Sequence, residues 1–449
     1  MRKRWGSMLL GLLIAGAAIT SVRAEETPLP SIVILLADDL GYGDLGCFGH
    51  PTIRTPHLDR MAAEGVKFTQ YYAWCYCTPS RAALLLGRLP VRSGLNRVLG
   101  ARSTGGIPDG ETTLAEALKA RGYATMCIGK WHLGHHPRFL PTRHGFDHYL
   151  GIPYSNDMDR ADQGEPPIPL MRDETVIEQP AVQDTLTRRY TEEALKFIRD
   201  HAALARQGQP FFLYLPYTFP HVPLHASPAF RGKSPRGLYG DVVEELDASV
   251  GQVLQVLRQE QLAGSTLVVF TSDNGPWLSQ KLDAGSAGLL REGKITTWEG
   301  GVRVPCLAWW PGTIAPGRVV QDLASELDLF ATCIELAGGR LPADRPYDSH
   351  SLAPLFRGTG SGSRNEVFYY FDDQVTAVRQ GPWKLHQKTI ESASGQTKSQ
   401  IQSPPLLFNL ATDPSERFNV ALEHPDVVER LTKVIEAHRA SVSPGSPQH

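Results

Sequence analysis

Four short apolar runs, each followed by polar residues, constrain the fold of this chain more than any other feature of its sequence. The first run, Ser31–Ala37, is continuously apolar and rich in β-branched residues, which is typical of a parallel strand buried on both faces. Three similar runs cover residues 123–128, 210–217 and 265–271, and helical patterns separate them. Strands that alternate with helices predict a mainly parallel sheet sandwiched by helices, and such sheets bind ligands beyond the carboxyl ends of their strands.

The remaining elements are predicted around this sheet. Helical spacing of apolar residues predicts helices at 55–68, 111–121, 190–201 and 241–259. Residues 151–180 are rich in Pro, Asp and Met and are predicted to be a loop. Beyond residue 340 we expect a smaller antiparallel sheet with strands at 367–371, 375–380, 383–386 and 406–410 and a terminal helix at 425–440. The predicted domains are therefore 25–339 and 340–449.

The amino terminus is typical of an export signal. Arg2, Lys3 and Arg4 precede an apolar stretch at residues 8–20, and small residues lead to a cleavage site after Ala24. We therefore expect residues 1–24 to be a signal peptide and the mature protein to be periplasmic or secreted, without stable membrane insertion. An uncleaved anchor is the alternative, although the stretch is short for a membrane span. The net charge of −2 gives no sign of a nucleic-acid partner.

Export implies an oxidising compartment, so the six cysteines bear on the fold. Cys127 and Cys333 lie in apolar runs and are expected to be buried as small hydrophobic residues. Apart from Cys77, five cysteines remain, and because five is odd at least one must stay free or pair between chains. The cysteines concerned are Cys47, Cys75, Cys127, Cys306 and Cys333.

The segment from Cys77 to Arg81, with Thr78, Pro79 and Ser80 between them, places a possible nucleophile four residues before a permanent cation. Pro79 fixes its own φ angle, and a helix predicted to begin near Ser80 would direct its positive amino-terminal end toward an anion. The Arg81 guanidinium offers a rigid fork of donors that suits sulfate or phosphate oxygens. The residues alone predict an anion site that contains a cysteine. A buried or disulfide-bonded structural cysteine is the alternative.

Acidic and amide side chains follow two of the predicted strands. Asp38 and Asp39 come directly after the first strand, and Asp273 and Asn274 follow the fourth. Adjacent carboxylates at the end of a buried strand are costly unless a cation accompanies them. All of these ligands are oxygen atoms, which favours calcium or magnesium over zinc. A helix cap or a turn would explain the Asp38–Asp39 pair on its own.

A basic region follows the cysteine segment. Residues 88–143 contain nine Lys or Arg residues and three acidic residues, which favours an anionic substrate. A solvated basic surface is the alternative. Within this region Lys130 and His132 would project to one face if the chain stays extended after the second strand.

The stretch from Cys77 to Gly87 resembles the signature of the formylglycine-dependent (type I) sulfatase family, Cys-x-Pro-x-Arg followed by four residues, Thr or Leu, and Gly. Leu86 and Gly87 occupy its last two positions. In that family the cysteine is oxidised after translation to formylglycine, whose hydrate attacks the sulfur of a sulfate ester. The resemblance implies an alkaline-phosphatase-like α/β fold, one bound Ca²⁺, and a formylglycine-generating enzyme as the maturation partner.

Further motifs extend the resemblance from about Ser31 to about Asn419. The loop ending in Ser155 looks like that of the arylsulfatase A branch, in which the serine reaches sulfate; an ordinary turn serine is the alternative. Residues 237–250 and 309–312 look more like the N-acetylgalactosamine-6-sulfatase branch. Three other segments match the family's second signature, its leaving-group histidine and its lysine loop, respectively GKWHLG at 129–134, TFPH at 218–221, and GK at 293–294 with TTWEGG at 296–301.

The resemblance implies a role for each matching residue. Cys77, as formylglycine, is the nucleophile, and Arg81 and Lys130 stabilise its oxygens and the sulfate charge. His132 takes the remaining hydroxyl proton so that sulfate is expelled. The residues that bind sulfate are Ser155, Lys130, His221 and Lys294, and the last two also protonate or stabilise the leaving oxygen. The implied calcium ligands are Asp38, Asp39, modified Cys77, Asp273 and Asn274, of which Asp273 also helps to activate the nucleophile.

The resulting interpretation is a calcium-dependent sulfuric ester hydrolase acting on sulfated carbohydrates, such as 6-sulfated N-acetylgalactosamine or galactose. One alternative is a general arylsulfatase for small aromatic sulfates. A second is a phosphatase or phosphodiesterase of the same superfold, although those usually hold two metals with His-rich ligands. A non-catalytic protein that binds sulfated glycans is a third, but it should have lost part of the catalytic set. The sequence leaves the oligomeric state open.

Overall fold

The structure, a computed structural model, describes Met1 and residues 29–449. Apart from Met1, the predicted signal peptide at residues 1–24 lies outside the described residues. In the part that is described, no helix combines the length and the apolar character needed to cross a bilayer. All six cysteines are in this part and all are free thiols, and Cys127 and Cys333 are fully buried, as expected.

Two sheets and one short strand pair account for the strands of the described residues. In chain order these strands are β1 (Ser31–Ala37), β2 (Val66–Phe68), β3 (Tyr71–Tyr72), β4 (Ala124–Ile128), β5 (His148–Gly151), β6 (Leu170–Arg172), β7 (Thr175–Glu178), β8 (Phe211–Pro216), β9 (Thr266–Ser272), β10 (Cys306–Trp309), β11 (Arg318–Val320), β12 (Ala324–Ser325), β13 (Glu366–Phe371), β14 (Gln374–Gln380), β15 (Trp383–Glu391) and β16 (Lys398–Asn409).

The α-helices lie mostly between the strands of the large sheet. They are α1 (Pro56–Glu64), α2 (Cys77–Leu86), α3 (Pro90–Ser93), α4 (Leu114–Lys119), α5 (Leu186–Arg206), α6 (Leu238–Gln259), α7 (Glu299–Val302), α8 (Asp328–Leu336), α9 (Ala353–Arg357) and α10 (Pro425–Ser441).

The central sheet has ten strands in the order β11-β2-β10-β9-β1-β8-β4-β5-β6-β7. Its middle is parallel, because β1 pairs in parallel with β8 and β9, and β8 pairs in parallel with β4. Every residue of β1 is buried, and successive residues point to opposite faces. One face packs against α2, α4 and α8, and the other against α1, α5 and α6. The prediction of a mainly parallel sheet between helices is therefore confirmed.

Several local predictions were wrong. Helices α4, α5 and α6 begin at Leu114, Leu186 and Leu238 instead of at residues 111, 190 and 241, and three further differences affect the elements around the sheet. The helix predicted over 55–68 ends at Glu64, and residues 66–68 form β2 beside β10. A Cβ on Gly65 would lie 2.1 Å from the Ala308 carbonyl oxygen, so this close approach requires glycine. The predicted 151–180 loop contains the β6–β7 hairpin, which extends the sheet antiparallel to β5. The helix predicted to begin near Ser80 begins at Cys77, since the Ser80 amide already donates to the Tyr76 carbonyl.

The C-terminal sheet is antiparallel, in the order β13-β14-β15-β16. The four strands and the terminal helix α10 occur where the sequence predicts them, although β15 and β16 are longer than expected. Val427, Leu431 and Ile435 of α10 are buried in the cluster that also holds Val378 and Leu385 of the sheet. The domain boundary at residue 340 stays a prediction.

Candidate active site

The site lies where neighbouring strands of the central sheet end. Asp38 and Asp39 follow β1, Asp273 and Asn274 follow β9, and Lys130 follows β4. Since these parallel strands run in the same direction, their carboxyl ends share one edge of the sheet. The structure brings all the predicted site residues to this edge in buried positions, including Cys77, Arg81, His132, Ser155, His221 and Lys294.

Cys77 occupies the first turn of α2, beside the helix amino terminus. Its side chain is 2% exposed. Burial raises the pKa of the Cys77 thiol, and the nearby Lys130 and Lys294 ammonium groups only partly oppose this effect. Unmodified Cys77 is therefore a protonated thiol at neutral pH, which is a poor nucleophile.

Arg81 joins the two groups of carboxylates. Its Nε and Nη2 atoms donate to Asp273 Oδ2 at 3.2 and 2.8 Å, and Nη2 also lies 3.2 Å from Asp38 Oδ2. The side chains of Arg81, Asp38 and Asp273 are fully buried. Arg81 therefore fixes the orientation of these carboxylates in addition to contributing positive charge.

Two lysines face the acidic residues from other loops. Lys130 Nζ forms an ion pair with Asp38 and donates to Ser155 Oγ at 3.1 Å, whereas Lys294 Nζ lies 2.7 Å from Asp39 Oδ1. Although burial opposes it, the Asp39 carboxylate holds the pKa of Lys294 above its usual value. Lys294 is thus charged, and both lysines act electrostatically on Cys77.

The same edge of the sheet fits a hard cation. Asp38, Asp39 and His221 each offer a ligand atom, and these atoms lie within 4.8 Å of one another. Within the described residues, Asp38 Oδ1 and Asn274 Oδ1 are buried oxygens that have no hydrogen-bond partner. Burial, followed by repulsion from Asp38, raises the pKa of Asp273. Unpartnered oxygens among crowded carboxylates are the environment that a bound metal ion stabilises.

The two site histidines, His132 and His221, differ in which ring nitrogen is free of a hydrogen bond to a backbone carbonyl. His132 Nε2 lies 2.8 Å from the Leu99 carbonyl, so Nε2 carries hydrogen and the buried, unpartnered Nδ1 is free to accept a proton. Burial, together with Lys130 and Arg81, holds the pKa of His132 well below its usual value, so the ring is neutral. His221 Nδ1 donates to the Val222 carbonyl at 2.5 Å, which leaves Nε2 3.7 Å from Asp39 Oδ2.

Backbone strain marks several of these positions. Asp39 and His132 have φ angles of 65° and 58°, which are uncommon for residues other than glycine. Ile295, next to Lys294, has φ 75°, which is a true outlier for a β-branched residue. Strain of this kind costs about 1–3 kcal/mol for each residue and is concentrated at functional sites.

Sequence reasoning missed two residues of this region. Asp157 has one buried carboxylate oxygen without a partner in the described chain, and His221 and Lys130 lower its pKa against the effect of burial. Trp277 is half-buried, with its ring 4.7 Å from Lys294 Nζ and 5.6 Å from the His221 ring. The only available signals were their positions two and three residues after Ser155 and Asn274.

The basic excess at 88–143 is largely neutralised by neighbours in the folded chain. Six of its nine cations form ion pairs, and five of these pairs use acidic residues from outside the region. The surface is therefore less positive than the local sequence indicates. The six pairs are Arg88–Glu111, Arg92–Asp348, Arg97–Asp372, Lys119–Asp147, Lys130–Asp38 and Arg143–Glu174.

Comparison with known proteins gives consistent matches over nearly the whole chain. The family model "Sulfatase" matches residues 30–339, and the model for the C-terminal region of aryl-sulfatase matches 362–449. N-acetylgalactosamine-6-sulfatase from Canis lupus familiaris is 41% identical, with 97% of this chain and 91% of the relative covered. Arylsulfatase A from Homo sapiens is 44% identical, with 94% and 89% covered.

Solved structures agree with these matches. The PsFucS1 sulfatase from Pseudoalteromonas superposes with a TM-score of 0.85 at 29% identity, over 93% of this chain and 92% of that one. A Bacteroides thetaiotaomicron protein described in connection with the metabolism of multiple glycosaminoglycans has a TM-score of 0.82 at 29% identity, over 92% and 100%.

Proposed function

Because the chain belongs to the sulfatase family, and is therefore a sulfuric ester hydrolase, we propose that its substrate is a sulfated carbohydrate, with 6-sulfated N-acetylgalactosamine or galactose ahead of others. The observation that carries this proposal is the match with N-acetylgalactosamine-6-sulfatase over 97% of the chain, together with a complete and buried set of predicted catalytic residues. The glycan-related structural neighbours support the same substrate class.

Two groups beyond the twenty amino acids belong to the proposed site. Formylglycine, made from Cys77 by a formylglycine-generating enzyme, supplies the hydroxyl nucleophile. One Ca²⁺, held by Asp38, Asp39, Asp273, Asn274 and residue 77, supplies positive charge against the nucleophile and the sulfate oxygens. The family generally uses a metal ion, and Asp38 and Asp39 lie in a buried group of possible ligand atoms that also includes His221. The five proposed ligands all offer oxygen, which favours calcium over zinc.

The chain's own residues bind the sulfate and move protons. Lys130, Lys294 and Ser155 surround the sulfate oxygens, where fixed charges in a buried site stabilise the transition state without reorganisation. His221 presents Nε2 toward the leaving oxygen, and with Lys294 it protonates or stabilises that oxygen. His132 presents its free Nδ1 as the base that takes the remaining hydroxyl proton, after which sulfate leaves.

A general arylsulfatase is the second candidate, and one contact favours it. Ser155 Oγ accepts a hydrogen bond from Lys130 Nζ, which places this serine with the sulfate-binding lysines, as the loop's likeness to arylsulfatase A suggests. The half-buried Trp277 ring beside His221 would pack equally well against an aromatic leaving group or a sugar face.

The deciding experiment compares kcat/KM for 6-sulfated and 4-sulfated N-acetylgalactosamine, 6-sulfated galactose and a chromogenic aryl sulfate, using protein whose residue 77 is shown by mass spectrometry to be formylglycine. We expect a 6-sulfated sugar to be preferred over the 4-sulfated one. Turnover of the aryl sulfate with every sugar untouched would replace the carbohydrate proposal with the arylsulfatase one. The phosphate analogue of the best substrate is the control for phosphatase activity.

A further inference from the structure

A second cluster of buried charges lies between the C-terminal sheet and the lysine loop, residues 293–301. Its centre is Lys384 on β15, with Glu299 at the start of α7 and Glu416 after β16, and all three side chains are fully buried. Lys384 Nζ lies 2.9 Å from Glu299 Oε1 and 3.0 Å from Glu416 Oε1. None of these residues takes part in the reaction proposed above.

The Lys384 side chain also contacts the backbone of the lysine loop. Its ammonium donates to the Thr297 carbonyl oxygen at 2.9 Å, only three residues after Lys294. Thr376 of the neighbouring strand β14 donates to Thr297 Oγ1 at 3.1 Å. The C-terminal sheet therefore forms hydrogen bonds with both the backbone carbonyl and the side chain of Thr297.

The backbone between Lys294 and Thr297 is strained, so contacts from neighbouring segments are needed to keep its conformation. Ile295 within this segment adopts φ 75°, and Glu292 just before the lysine loop adopts φ 61°. Such conformations persist only where surrounding contacts determine them. On the other side of the strained segment, the Ile295 amide donates to the Cys75 carbonyl at 2.8 Å, and the Lys294 amide donates to the Pro276 carbonyl at 2.9 Å. The strained residues are thus fixed from the active-site side and from the C-terminal sheet.

We propose that Lys384 is a positioning residue for Lys294. By holding Thr297 and Glu299, it keeps the lysine loop on the path that places the Lys294 ammonium beside Asp39 and Trp277. The C-terminal sheet then contributes to departure of the leaving group as well as to stability. This inference rests on the proposed function, because it assigns Lys294 to the leaving oxygen.

The test measures kcat/KM of Lys384→Met on aryl sulfates whose phenol leaving groups span a wide range of pKa. A displaced Lys294 helps a poor leaving group less, so the dependence on leaving-group pKa should steepen, in the direction also expected for Lys294→Ala. Misplacement of a catalytic group by about 1 Å can cost roughly 10²-fold, and we expect about 10–100-fold on the poorest leaving group. A merely structural role would reduce all rates equally and leave the dependence unchanged.

Lys388→Met is the matched control, since Lys388 lies on the same strand and bonds Gln374 at the surface. The Lys388→Met variant should show the same dependence of kcat/KM on leaving-group pKa as the wild type. Loss of Lys384 leaves two buried carboxylates with one cation fewer, so the charge-balanced variant Lys384→Met/Glu416→Gln and the milder Thr376→Val are measured beside it. Thr376→Val should steepen the dependence of kcat/KM on leaving-group pKa in the same direction as Lys384→Met, but by a smaller factor.

A double-mutant cycle completes the test. If Lys384 acts through Lys294, the Lys294→Ala/Lys384→Met variant should lose less than the product of the two single losses on the poorest leaving group. Additive losses, or folded Lys384 variants with an unchanged dependence, would overturn this inference while the proposed function stands. A wild-type enzyme with confirmed formylglycine that hydrolyses no sulfate ester would refute the proposed function, and this inference with it.

Discussion

Two buried charge clusters lie on either side of the lysine loop, and they differ in how completely their carboxylates are paired. In the C-terminal cluster all four carboxylate oxygens of Glu299 and Glu416 accept hydrogen bonds or ion pairs, from Tyr72, Tyr369, Arg303, Lys384, His386 and the Glu299 amide. In the active-site cluster Asp38 Oδ1 and Asn274 Oδ1 have no partner among the described residues, and Asp39 and His132 have strained backbones.

This difference in pairing distinguishes the active-site cluster, which is expected to bind ligands, from the C-terminal cluster, which is expected to support the structure. Buried polar groups are nearly always satisfied, so an unpaired buried oxygen in a native fold needs an explanation, such as the binding of an ion. The carboxylates of the C-terminal cluster are all paired, although His386 Nδ1 has no partner among the described residues, and the contribution of this cluster should be to stability and to the position of the lysine loop. The active-site cluster contains buried oxygens without a partner among the described residues. Its residues should therefore matter for turnover and for ligand binding more than for folding.

The largest effect on turnover is expected at the nucleophile. Cys77→Ser should lower kcat on the order of 10⁶-fold, the scale seen when other hydrolases lose their nucleophile, with little change in the unfolding midpoint. Mass spectrometry of the wild type should show an aldehyde or its hydrate at residue 77. Cys47→Ser, which changes a partly exposed free cysteine outside the predicted site, is the control and should keep its activity. Full activity with an unmodified thiol at 77 would contradict the assignment.

The next effect should follow removal of the metal. Chelation should abolish activity, and elemental analysis should find one Ca²⁺ for each chain. Calcium at 100 times its Kd should stabilise the wild type by about 2.7 kcal/mol, because the ion binds only the folded state. Asp39→Asn should remove the metal, this stabilisation and the activity together, whereas Asp200→Ala on the exposed face of α5 should change none of them. Stoichiometric zinc or full activity after exhaustive chelation would count against a calcium site.

A smaller and selective effect is expected at His221. An activated aryl sulfate leaves with little need for a proton, whereas a sugar alkoxide needs one. His221→Ala should therefore reduce kcat/KM on a sugar sulfate by about 10²–10⁴-fold and on an activated aryl sulfate by much less. His225→Ala is the control, since His225 pairs with Asp184 on a neighbouring loop. Equal losses on both substrates would limit His221 to sulfate binding.

The sequence predicted the active-site cluster better than the C-terminal one, for a physical reason. Asp38 and Asp273 directly follow apolar strands and Lys130 comes two residues after one, and strand order alone brings such positions together at one edge. Glu299, Lys384 and Glu416 are separated by long intervals, and their contacts depend on how the C-terminal sheet docks. Asp157 and Trp277 lie on loops whose path no local pattern specifies, and the β6–β7 hairpin was hidden in a Pro-rich segment.

The smallest effect on turnover, with a large effect on stability, is expected in the C-terminal cluster. Glu416→Ala removes a carboxylate that pairs with Lys384 and His386 and accepts the Glu299 amide. Breaking a buried ion pair by removing one partner costs about 3–5 kcal/mol, and the free energy of unfolding should fall by this amount. Glu416 holds the lysine loop only at the Glu299 amide, and the Lys384–Thr297 contact, which is nearer to Lys294, does not include Glu416, so kcat of the folded fraction should change only a few-fold.

Glu429→Ala is the matched control for this variant. Glu429 pairs with Lys433 on the exposed face of α10, and an exposed pair of this kind is worth about 0–1 kcal/mol. Urea unfolding of both variants, measured beside kcat on an activated aryl sulfate, separates the two clusters. If Glu416→Ala lost activity by orders of magnitude while its unfolding midpoint stayed at the wild-type value, the division between a catalytic and a supporting cluster would be wrong, because a cluster whose carboxylates are all paired would then be acting on the reaction itself.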